Sequence, residues 1–313
     1  MDFRKYTITI NDADRRLDRI VRRFLPGLSL SGIYKLMRKG LVRLDGKKAD
    51  PATRAQAGSE VWIASALTEP GDIGRVRRAE PVSEYVPEIV FENRDLLFIN
   101  KREGIAVHGK GGLDTLIAQD SEALQSLSFR TGPLHRLDRD TTGILAFSRS
   151  LEGARWFSSA VHEHALEKYY LGLAEGFLDG EAEWRDRGDD GKEMITLASS
   201  VARSEGYPSG SFTLIRYRII TGRKHQIRVQ TSLHGHPLAG DSRYGGAQTP
   251  DGRYYLHARE LVFPKERLAG LPERLFAPIP ARFSAMIREI FGKDLLAQLE
   301  RGAVYWNEYD EHQ

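Results

Sequence analysis

The sequence contains no cysteine among its 313 residues. A chain without thiols has no disulfide framework, no thiolate nucleophile and no cysteine-ligated zinc, which excludes small secreted disulfide-rich domains and zinc ribbons. Long apolar runs are missing too, since none approaches the roughly 18 to 20 residues that a membrane-spanning helix needs. The first residues, MDFRKYTITI, lack the apolar stretch of a signal peptide. These absences predict a globular protein of the cytoplasm that has no membrane partner.

Positive charge is concentrated in the first part of the chain, although the net charge of the whole is only +3. Residues 1–80 carry 17 lysines and arginines against 10 acidic residues, whereas residues 81–313 carry 29 against 33. A one-sided excess of this kind is typical of a separate module that binds a polyanion. We therefore expect residues 1–80 to supply affinity for a nucleic acid, and the rest of the chain to supply a different activity.

Two short amphipathic helices are predicted in this basic region. In RRLDRIVRRFLPG (15–27), apolar residues recur at helical spacing, arginines fill much of the remainder, and the Pro-Gly pair ends the helix. SGIYKLMRKG (31–40) repeats the pattern, with Ser29 or Ser31 as the candidate cap. Residues 41–64 predict two strands, the first with an Asp-Gly turn. The module is therefore predicted as helix, helix and small sheet.

Basic residues on helices are usually only solvated, and the charge alone leaves that alternative open. The pattern over residues 14–64, however, resembles a small RNA-binding module that was first described in a small-subunit ribosomal protein and is attached to many RNA-modifying enzymes. The resemblance implies that the cations of both helices contact RNA. The candidate RNA-binding residues of this module are Arg16, Arg19, Arg22, Arg23, Lys35, Arg38 and Lys39.

A linker and a larger domain follow the module. Residues 68–84 combine proline, glycine and charge with almost no periodicity, which predicts a linker between a first domain at 1–67 and a second at 85–313. In the second domain, strand-like segments follow one another with few helices between them, one of these helices at 152–164. This order favours an α+β fold, with a mixed, mainly antiparallel sheet and flanking helices, over a doubly wound parallel sheet.

Three segments of the second domain carry more polar residues than a core requires. They are HRLDRDTTG (135–143), EKYYLGL (167–173) and TGRKHQIRVQ (221–230), the last followed by GHPLAGDSRYGG. Taken singly, each has an ordinary structural explanation as a turn, a strand with a half-buried aromatic residue, or a helix with a solvated charge. The alternative for the first segment is a loop that holds one carboxylate in a positively charged setting for chemistry.

Taken together and in this order, the segments resemble the RluA-type pseudouridine synthases. That family carries HRLD followed by two variable residues and T-S-G, then K/R-x-Y at the start of a strand, then T-G-R-x-H-Q-I-R leading to G-x-P-L-x-G-D-x-x-Y-G. The sequence has HRLDRDTTG, KYY, TGRKHQIR and GHPLAGDSRYG, and KREGIAVHGKGG is similar to a further family segment, K-P-x-G-x-x-V-H-x-G. The resemblance spans about residues 85–290, and the basic module is similar to that of RluC-like members.

The sequence departs from the family pattern at a few positions. Thr142 stands in place of the usual serine and keeps its hydroxyl, Gln230 replaces a frequent histidine, and Arg102 replaces the usual proline. The segment between Gly180 and Ser211 is short and matches poorly. The resemblance therefore indicates the reaction that is catalysed more firmly than it indicates which RNA is the substrate.

The resemblance implies an RNA isomerase that needs no cofactor. Conversion of uridine to pseudouridine breaks the N1–C1′ bond and rejoins the uracil through C5, without redox change, energy input or an external group. Asp138 corresponds to the family's catalytic aspartate, an ionised carboxylate that acts as nucleophile or proton acceptor. The sequence leaves open whether it attacks C6 of the base, attacks C1′ or removes a proton from the sugar.

Two more residues complete the predicted catalytic site. A carboxylate in a pocket dry enough for uracil binds a proton unless a permanent cation is adjacent, and Arg228, the match to the family's arginine, is expected to be that cation. The uridine has to flip out of its stack, and Tyr170 is expected to hold it with its aromatic face. Its hydroxyl can also help to remove the C5 proton. His135 and Arg136 are candidates for filling the space left by the flipped base or for contacting phosphate.

Other functions fit the sequence less well. HRLDRDTTG lacks the residue order of a kinase catalytic loop, and the paired histidines at 162/164 and 234/236 lack nearby acidic partners in a metal-ligand pattern, so no metal is predicted. A non-catalytic RNA-binding or ribosome-assembly protein of the same fold is the alternative from another class, and its mark would be the loss of Asp138. The predicted partner is RNA, either large-subunit ribosomal RNA or a transfer RNA anticodon arm, and the protein is expected to be a monomer.

Overall fold

The computed structural model describes residues 1–68, 85–109, 111–120, 126–207, 210–247, 249 and 251–301. The linker predicted at 68–84 therefore lies outside the described residues, apart from Thr68. In these ranges no helix combines the length and apolar character needed to cross a membrane. The strands form two separate sheets, one of three strands and one of ten.

The helices and strands of the described residues have the following bounds. In chain order they are β1 (Phe3–Thr7), α1 (Leu17–Phe24), α2 (Leu30–Arg38), β2 (Val42–Leu44), β3 (Glu60–Ala64), β4 (Glu88–Glu92), β5 (Leu96–Lys101), α3 (Leu113–Asp120), β6 (Gly132–Pro133), β7 (Thr142–Ser148), α4 (Leu151–His162), β8 (Glu167–Glu175), β9 (Glu181–Arg187), β10 (Glu193–Tyr207), β11 (Gly210–Ile219), α5 (Gln226–Leu233), β12 (Leu256–Val262), β13 (Arg274–Phe276), α6 (Ala281–Phe291) and α7 (Lys293–Glu300).

The small sheet and the first two helices form a compact basic module with its own core. The apolar faces of α1 and α2 bury Ile20, Val21 and Ile33 against Val61 and its neighbours on the sheet. Ser29 is the residue that caps α2, because its hydroxyl accepts a hydrogen bond from the backbone amide of Gly32 at 3.3 Å. The two predicted helices are therefore present, and their arginines and lysines lie on the side away from the core.

One strand of the module was not predicted. Residues Phe3–Thr7 form β1, which pairs antiparallel with β3, with Phe3 opposite Ala64. The order in the small sheet is β1-β3-β2, so the central strand has a partner on both sides. The predicted order of helix, helix and sheet is corrected to strand, helix, helix, strand, strand.

The large sheet confirms the predicted mixed α+β architecture. Its strands follow the order β4-β5-β7-β12-β8-β11-β10-β9, with β13 added to β12 and β6 added to β7. The described pairs are antiparallel except β7 with β12, which run parallel. Such a sheet alternates its side chains between two faces, and both faces are covered here.

The two faces of β8 show how the sheet separates its cores. Tyr170 and Ala174 point into the core that also contains residues of β11 and α5, whereas Leu171 and Leu173 point into the core formed with α6 and α7. The three polar segments at 135–143, 167–173 and 221–230 meet on the first of these faces.

The last residues of HRLDRDTTG are explained by packing of β7 against β12. Gly143 has φ +108°, and a Cβ at this position would lie 2.2 Å from the carbonyl oxygen of Ala258 in the paired strand. Only glycine fits there. The hydroxyl of Thr142 is 2.8 Å from Nδ1 of His257. The serine that is usual in the family also has a hydroxyl, and in this chain that group contributes to packing of β7 against β12.

Candidate active site

Asp138 lies in a tight turn immediately before β7. The amide of Thr141 donates to the carbonyl oxygen of Asp138 at 3.2 Å, which closes the turn. The turn is supported by the buried Lys101 of β5, whose Nζ donates to the carbonyl oxygens of Arg139 at 2.7 Å and Arg102 at 2.8 Å. Burial lowers the pKa of Lys101 to about 8, and nearby carboxylates oppose this shift. The side chain of Asp138 is 15% exposed, so it is accessible without being fully hydrated.

Arg228 on α5 links Asp138 to a second carboxylate. Its Nη1 lies 3.3 Å from Oδ2 of Asp138, while its Nε and Nη2 donate to the two carboxylate oxygens of Asp241 at 2.7 and 2.8 Å. Burial lowers the pKa of Arg228, but the hydrogen bonds and charge of Asp241 outweigh burial and raise it overall. The expected cation is therefore beside Asp138, although its two shorter hydrogen bonds go to Asp241.

Two aromatic rings fix the plane of the Arg228 guanidinium. Its central carbon lies 4.2 Å from the ring centroid of Tyr254 and 5.0 Å from that of Tyr244. The hydroxyl of Tyr254 is 3.0 Å from the hydroxyl of Thr141, in the turn that carries Asp138. The cation and the carboxylate are thus attached to one hydrogen-bonded framework, which limits their relative motion.

His225 is a third polar neighbour of Asp138. Its Nε2 lies 3.6 Å from Oδ1 of Asp138, and its Nδ1 lies 2.7 Å from the hydroxyl of Tyr244. It precedes α5 with φ 55°, a left-handed conformation that is uncommon for residues with a side chain. Burial lowers the pKa of His225, with Asp138 opposing the shift and Arg228 adding to it, so the ring is neutral at neutral pH.

Tyr170 faces the same site from β8 and is 8% exposed. Burial, with a further contribution from the negative charge of Asp138, raises the pKa of Tyr170, which keeps the phenol protonated at neutral pH. Tyr169 lies on the opposite face, where its hydroxyl donates to Glu167 at 2.6 Å. The strand alternation therefore brings Tyr170 to the carboxylate and takes Tyr169 away from it.

His135 has a structural environment. Its Nε2 accepts a hydrogen bond from the amide of Ala146 at 3.1 Å, and its ring stacks on Phe157 with centroids 5.9 Å apart. Burial, with a contribution from the charge of Lys168, lowers the pKa of His135 to about 3. This geometry gives no support to a contact between His135 and RNA. Arg136, the next residue, is exposed.

The candidate RNA-binding residues of the basic module divide into two groups. The side chain of Arg16 forms an ion pair with the buried Asp18 at 2.6 Å, so it is engaged within the module. The other six candidates have exposed side chains on α1 or at α2: Arg19, Arg22, Arg23, Lys35, Arg38 and Lys39. They form the basic surface of the module.

Gln230, the departure from histidine, anchors α5 to the sheet. The buried amide accepts a hydrogen bond from the hydroxyl of Thr196 on β10 and donates one to Asp186 on β9, each at 2.7 Å. Because Arg228 lies on the same helix, this attachment fixes the helix that carries the cation. In the ranges that the structure describes, no three or more His, Asp or Glu residues are grouped so as to hold a metal ion.

Several residues of the site were not expected from the sequence. Asp241 and Tyr244 lie in GDSRYG, and His225 lies in TGRKHQIR, so the family motifs contained the signal. Lys101 is the first residue of KREGIAVHGKGG, a further segment similar to the family's, whereas Tyr254 carries only a weak signal, because its role depends on a contact with a turn that is distant in sequence.

Comparison with known proteins gives consistent matches. The RNA pseudouridylate synthase family matches residues 95–233, and the S4 domain matches residues 15–61. Ribosomal large subunit pseudouridine synthase C of Escherichia coli (strain K12) is 32% identical over 283 residues, which cover 82% of this chain and 87% of that protein. The protein of the same name from Haemophilus ducreyi is 31% identical over 299 residues, which cover 88% of this chain and 91% of that protein.

Two solved structures share the fold. Human RNA Pseudouridylate Synthase Domain Containing 4 superposes with a TM-score of 0.52 at 22% identity, covering 64% of this chain and 92% of that one. Human RNA Pseudouridylate Synthase Domain Containing 1 superposes with a TM-score of 0.52 at 23% identity, covering 71% and 98%.

Proposed function

This chain belongs to the RluA-type family of RNA pseudouridine synthases, and from that membership we propose that Asp138 is its catalytic residue and large-subunit ribosomal RNA its substrate. The chain is an enzyme that isomerises uridine to pseudouridine in RNA. In the proposed division of labour, residues 85–313 perform the isomerisation, and residues 1–67, which include the S4 domain, contribute RNA binding.

The observation that carries the catalytic assignment is the position of Asp138 beside a permanent cation, on the side of the sheet where Tyr170 packs with Leu137 and Ile227. The Nη1 of Arg228 lies 3.3 Å from the carboxylate, and burial together with the charge of Asp138 raises the pKa of the Tyr170 phenol. An ionised carboxylate beside an aromatic surface matches what a flipped-out uridine requires.

The proposed roles follow from the bonds that change. The N1–C1′ bond breaks, a C5–C1′ bond forms, and the proton on C5 is replaced while N1 gains one. Asp138 supplies the carboxylate that starts this sequence, Arg228 places its positive charge beside that carboxylate, and the face of Tyr170 packs against the uracil. The phenol of Tyr170 is protonated. Its oxygen can therefore accept the proton from C5 only if the phenol releases its hydroxyl proton at the same time.

Two observations support ribosomal RNA as the substrate. The two relatives described above are named ribosomal large subunit pseudouridine synthase C and are matched over most of their length. The exposed cations of α1 and α2 also provide a surface for RNA phosphates outside the catalytic pocket. We further propose that the enzyme acts as a monomer and in the cytoplasm.

The substrate is tested by incubating the purified protein with uridine-5-tritiated transcripts of large-subunit ribosomal RNA and of transfer RNA. We expect tritium release from ribosomal RNA. The uridines that react should be those whose pseudouridines are missing from the ribosomal RNA of cells that lack the gene. Release from transfer RNA alone would overturn the ribosomal assignment while leaving the isomerase activity intact.

A further inference from the structure

A buried aspartate connects the S4 domain to the catalytic domain. Asp12, in the segment before α1, is 0% exposed, and its carboxylate accepts hydrogen bonds from residues of the loop before β6. The donors are the hydroxyl of Ser126 at 2.7 Å, the amide of Leu127 at 2.9 Å, and the amide and hydroxyl of Ser128 at 2.6 and 2.7 Å. Hydrogen bonds to an ionised acceptor are stronger than neutral ones, so this is a substantial attachment.

Neighbouring residues extend the attachment. Asn11 is also buried, and its Oδ1 accepts a hydrogen bond at 3.2 Å from the amide of Leu151, the first residue of α4. The Nη1 of Arg15 donates to the hydroxyl of Ser128 at 2.8 Å. Leu127 packs against the core of the S4 domain. Polar and apolar contacts therefore hold the two domains together at one place.

The position of this contact relates it to the active site. The loop at 126–128 leads through β6 directly into the turn of Asp138, and β7 and α4 follow that turn. The S4 domain is thus attached to the stretch of chain that presents the catalytic carboxylate. A change in the attachment alters where the basic helices stand relative to Asp138.

We propose that Asp12 is a positioning residue that clasps the S4 domain onto the catalytic domain and so determines which uridine is modified. The inference rests on the proposed function, because it concerns the choice of RNA site. With the clasp closed, the cations of α1 and α2 stand at one distance and direction from Asp138. An RNA that binds the S4 domain then delivers only a uridine at the matching position.

A connection by a flexible segment alone has a different consequence. It raises the local concentration of RNA near the catalytic pocket, but it allows many relative positions of the two domains. Such a connection increases the affinity for RNA but does not select one uridine over another. If the clasp fixes the two domains, loss of Asp12 should change which uridine is modified while RNA phosphates bind as before. If only a flexible segment connects them, loss of Asp12 should leave the choice of uridine unchanged.

The variants perturb the clasp from both sides. Asp12→Asn keeps the shape of the side chain and removes the charge that accepts from the four donors of the loop, and also from the hydroxyl of Thr9 at 2.6 Å and the amide of Thr9 at 3.4 Å. Ser126→Ala combined with Ser128→Ala removes both hydroxyl donors from the catalytic side and leaves the S4 domain unaltered. Asp50→Asn is the matched control, since Asp50 is an exposed aspartate of the S4 domain whose carboxylate accepts from its neighbour Ala52.

The absence of native cysteine allows a direct distance measurement in the full chain. Cysteines introduced at Gln56 in the S4 domain and at His162 at the end of α4, both exposed positions, carry spin labels. We expect one narrow distance distribution for the otherwise unaltered protein and for Asp50→Asn. Both clasp variants should broaden it. A broad distribution in the unaltered protein, or a narrow one in both clasp variants, would overturn the proposal.

The functional readout compares a long ribosomal RNA fragment, which reaches both domains, with a short hairpin that holds only the target loop. Breaking charge-assisted hydrogen bonds should lower kcat/KM on the long fragment by about tenfold or more and shift modification to additional uridines. Turnover of the hairpin and the salt dependence of RNA binding should stay unchanged, because the catalytic pocket and the basic helices are intact.

The outcomes separate this inference from the proposed function. Unchanged site choice on the long fragment in both clasp variants would refute the positioning role. An equal loss on hairpin and long fragment would show a general defect of the catalytic domain and would also refute it. Failure of the unaltered protein to modify either RNA would refute the substrate assignment instead, while the distance measurement would still decide whether the clasp exists. If Asp12→Asn unfolds the S4 domain, the serine variant decides.

Discussion

Arg228 serves two carboxylates, and substitution can separate its structural role from its catalytic role. In Arg228→Met, the side chain of Asp241, 2% exposed, loses the guanidinium that donates to both of its oxygens. Removing one partner of a buried ion pair leaves an uncompensated charge, so we expect the free energy of unfolding to fall by about 3–5 kcal/mol. Adding Asp241→Asn removes that charge, and the double variant should recover about 2 kcal/mol or more.

Activity should behave differently from stability. Both variants lack the cation beside Asp138, so both should be nearly inactive at neutral pH. Removing the charge of Asp241 restores the fold without returning a cation to Asp138, so the activity of the double variant should stay as low as that of Arg228→Met.

The assay combines urea unfolding with tritium release. Recovery of activity together with stability in the double variant would show that Arg228 acts only through the fold. Near-normal activity of Arg228→Met would exclude the electrostatic role. An Arg228→Met protein as stable as the parent would contradict the reasoning about the buried pair.

Two further predictions concern RNA binding and pH. Replacing Arg19, Arg22 and Arg23 simultaneously by glutamine should reduce the slope of log affinity for RNA against log salt concentration by about two to three. Arg288→Gln on α6 is the control. An unchanged slope would show that the three arginines do not contact RNA phosphates. Burial lowers the pKa of His257 from 6.5 to about 3, so below pH 6.5 the unfolded chain binds a proton that the folded state does not, and stability falls on acidification. Urea unfolding should show a loss of about 2 kcal/mol from this group between pH 6.5 and pH 5, and His257→Asn should lack it.

The sequence indicated which residues belong to the proposed site better than how they are connected. Asp138, Arg228 and Tyr170 lie on three segments distant in sequence, and the motifs named them as candidates without indicating their contacts. The motif containing Asp241 was also recognised, yet its carboxylate was not identified as the main partner of Arg228. A spacing pattern indicates which residues are needed, whereas the distribution of one guanidinium between two carboxylates depends on tertiary geometry.

Local periodicity predicted the helices of the S4 domain but not β1 or the clasp. The residues of β1 read as a short alternating segment, and their assignment as a strand depends on pairing with β3 far along the chain. Asp12 lies in a segment without periodicity, and its donors in the catalytic domain lie more than a hundred residues away. His135 and Arg16 are candidates for RNA contact from the sequence, and the contact that each side chain makes within the fold could be seen only in the structure.

The catalytic assignment is tested most directly by tritium release from uridine-5-tritiated ribosomal RNA by Asp138→Asn. The substitution nearly preserves shape while it removes the ionised carboxylate, so we predict that RNA affinity survives and that no tritium is released, at any pH at which the unaltered enzyme is active. Measurable turnover by this variant would contradict the assignment of Asp138 as the catalytic residue.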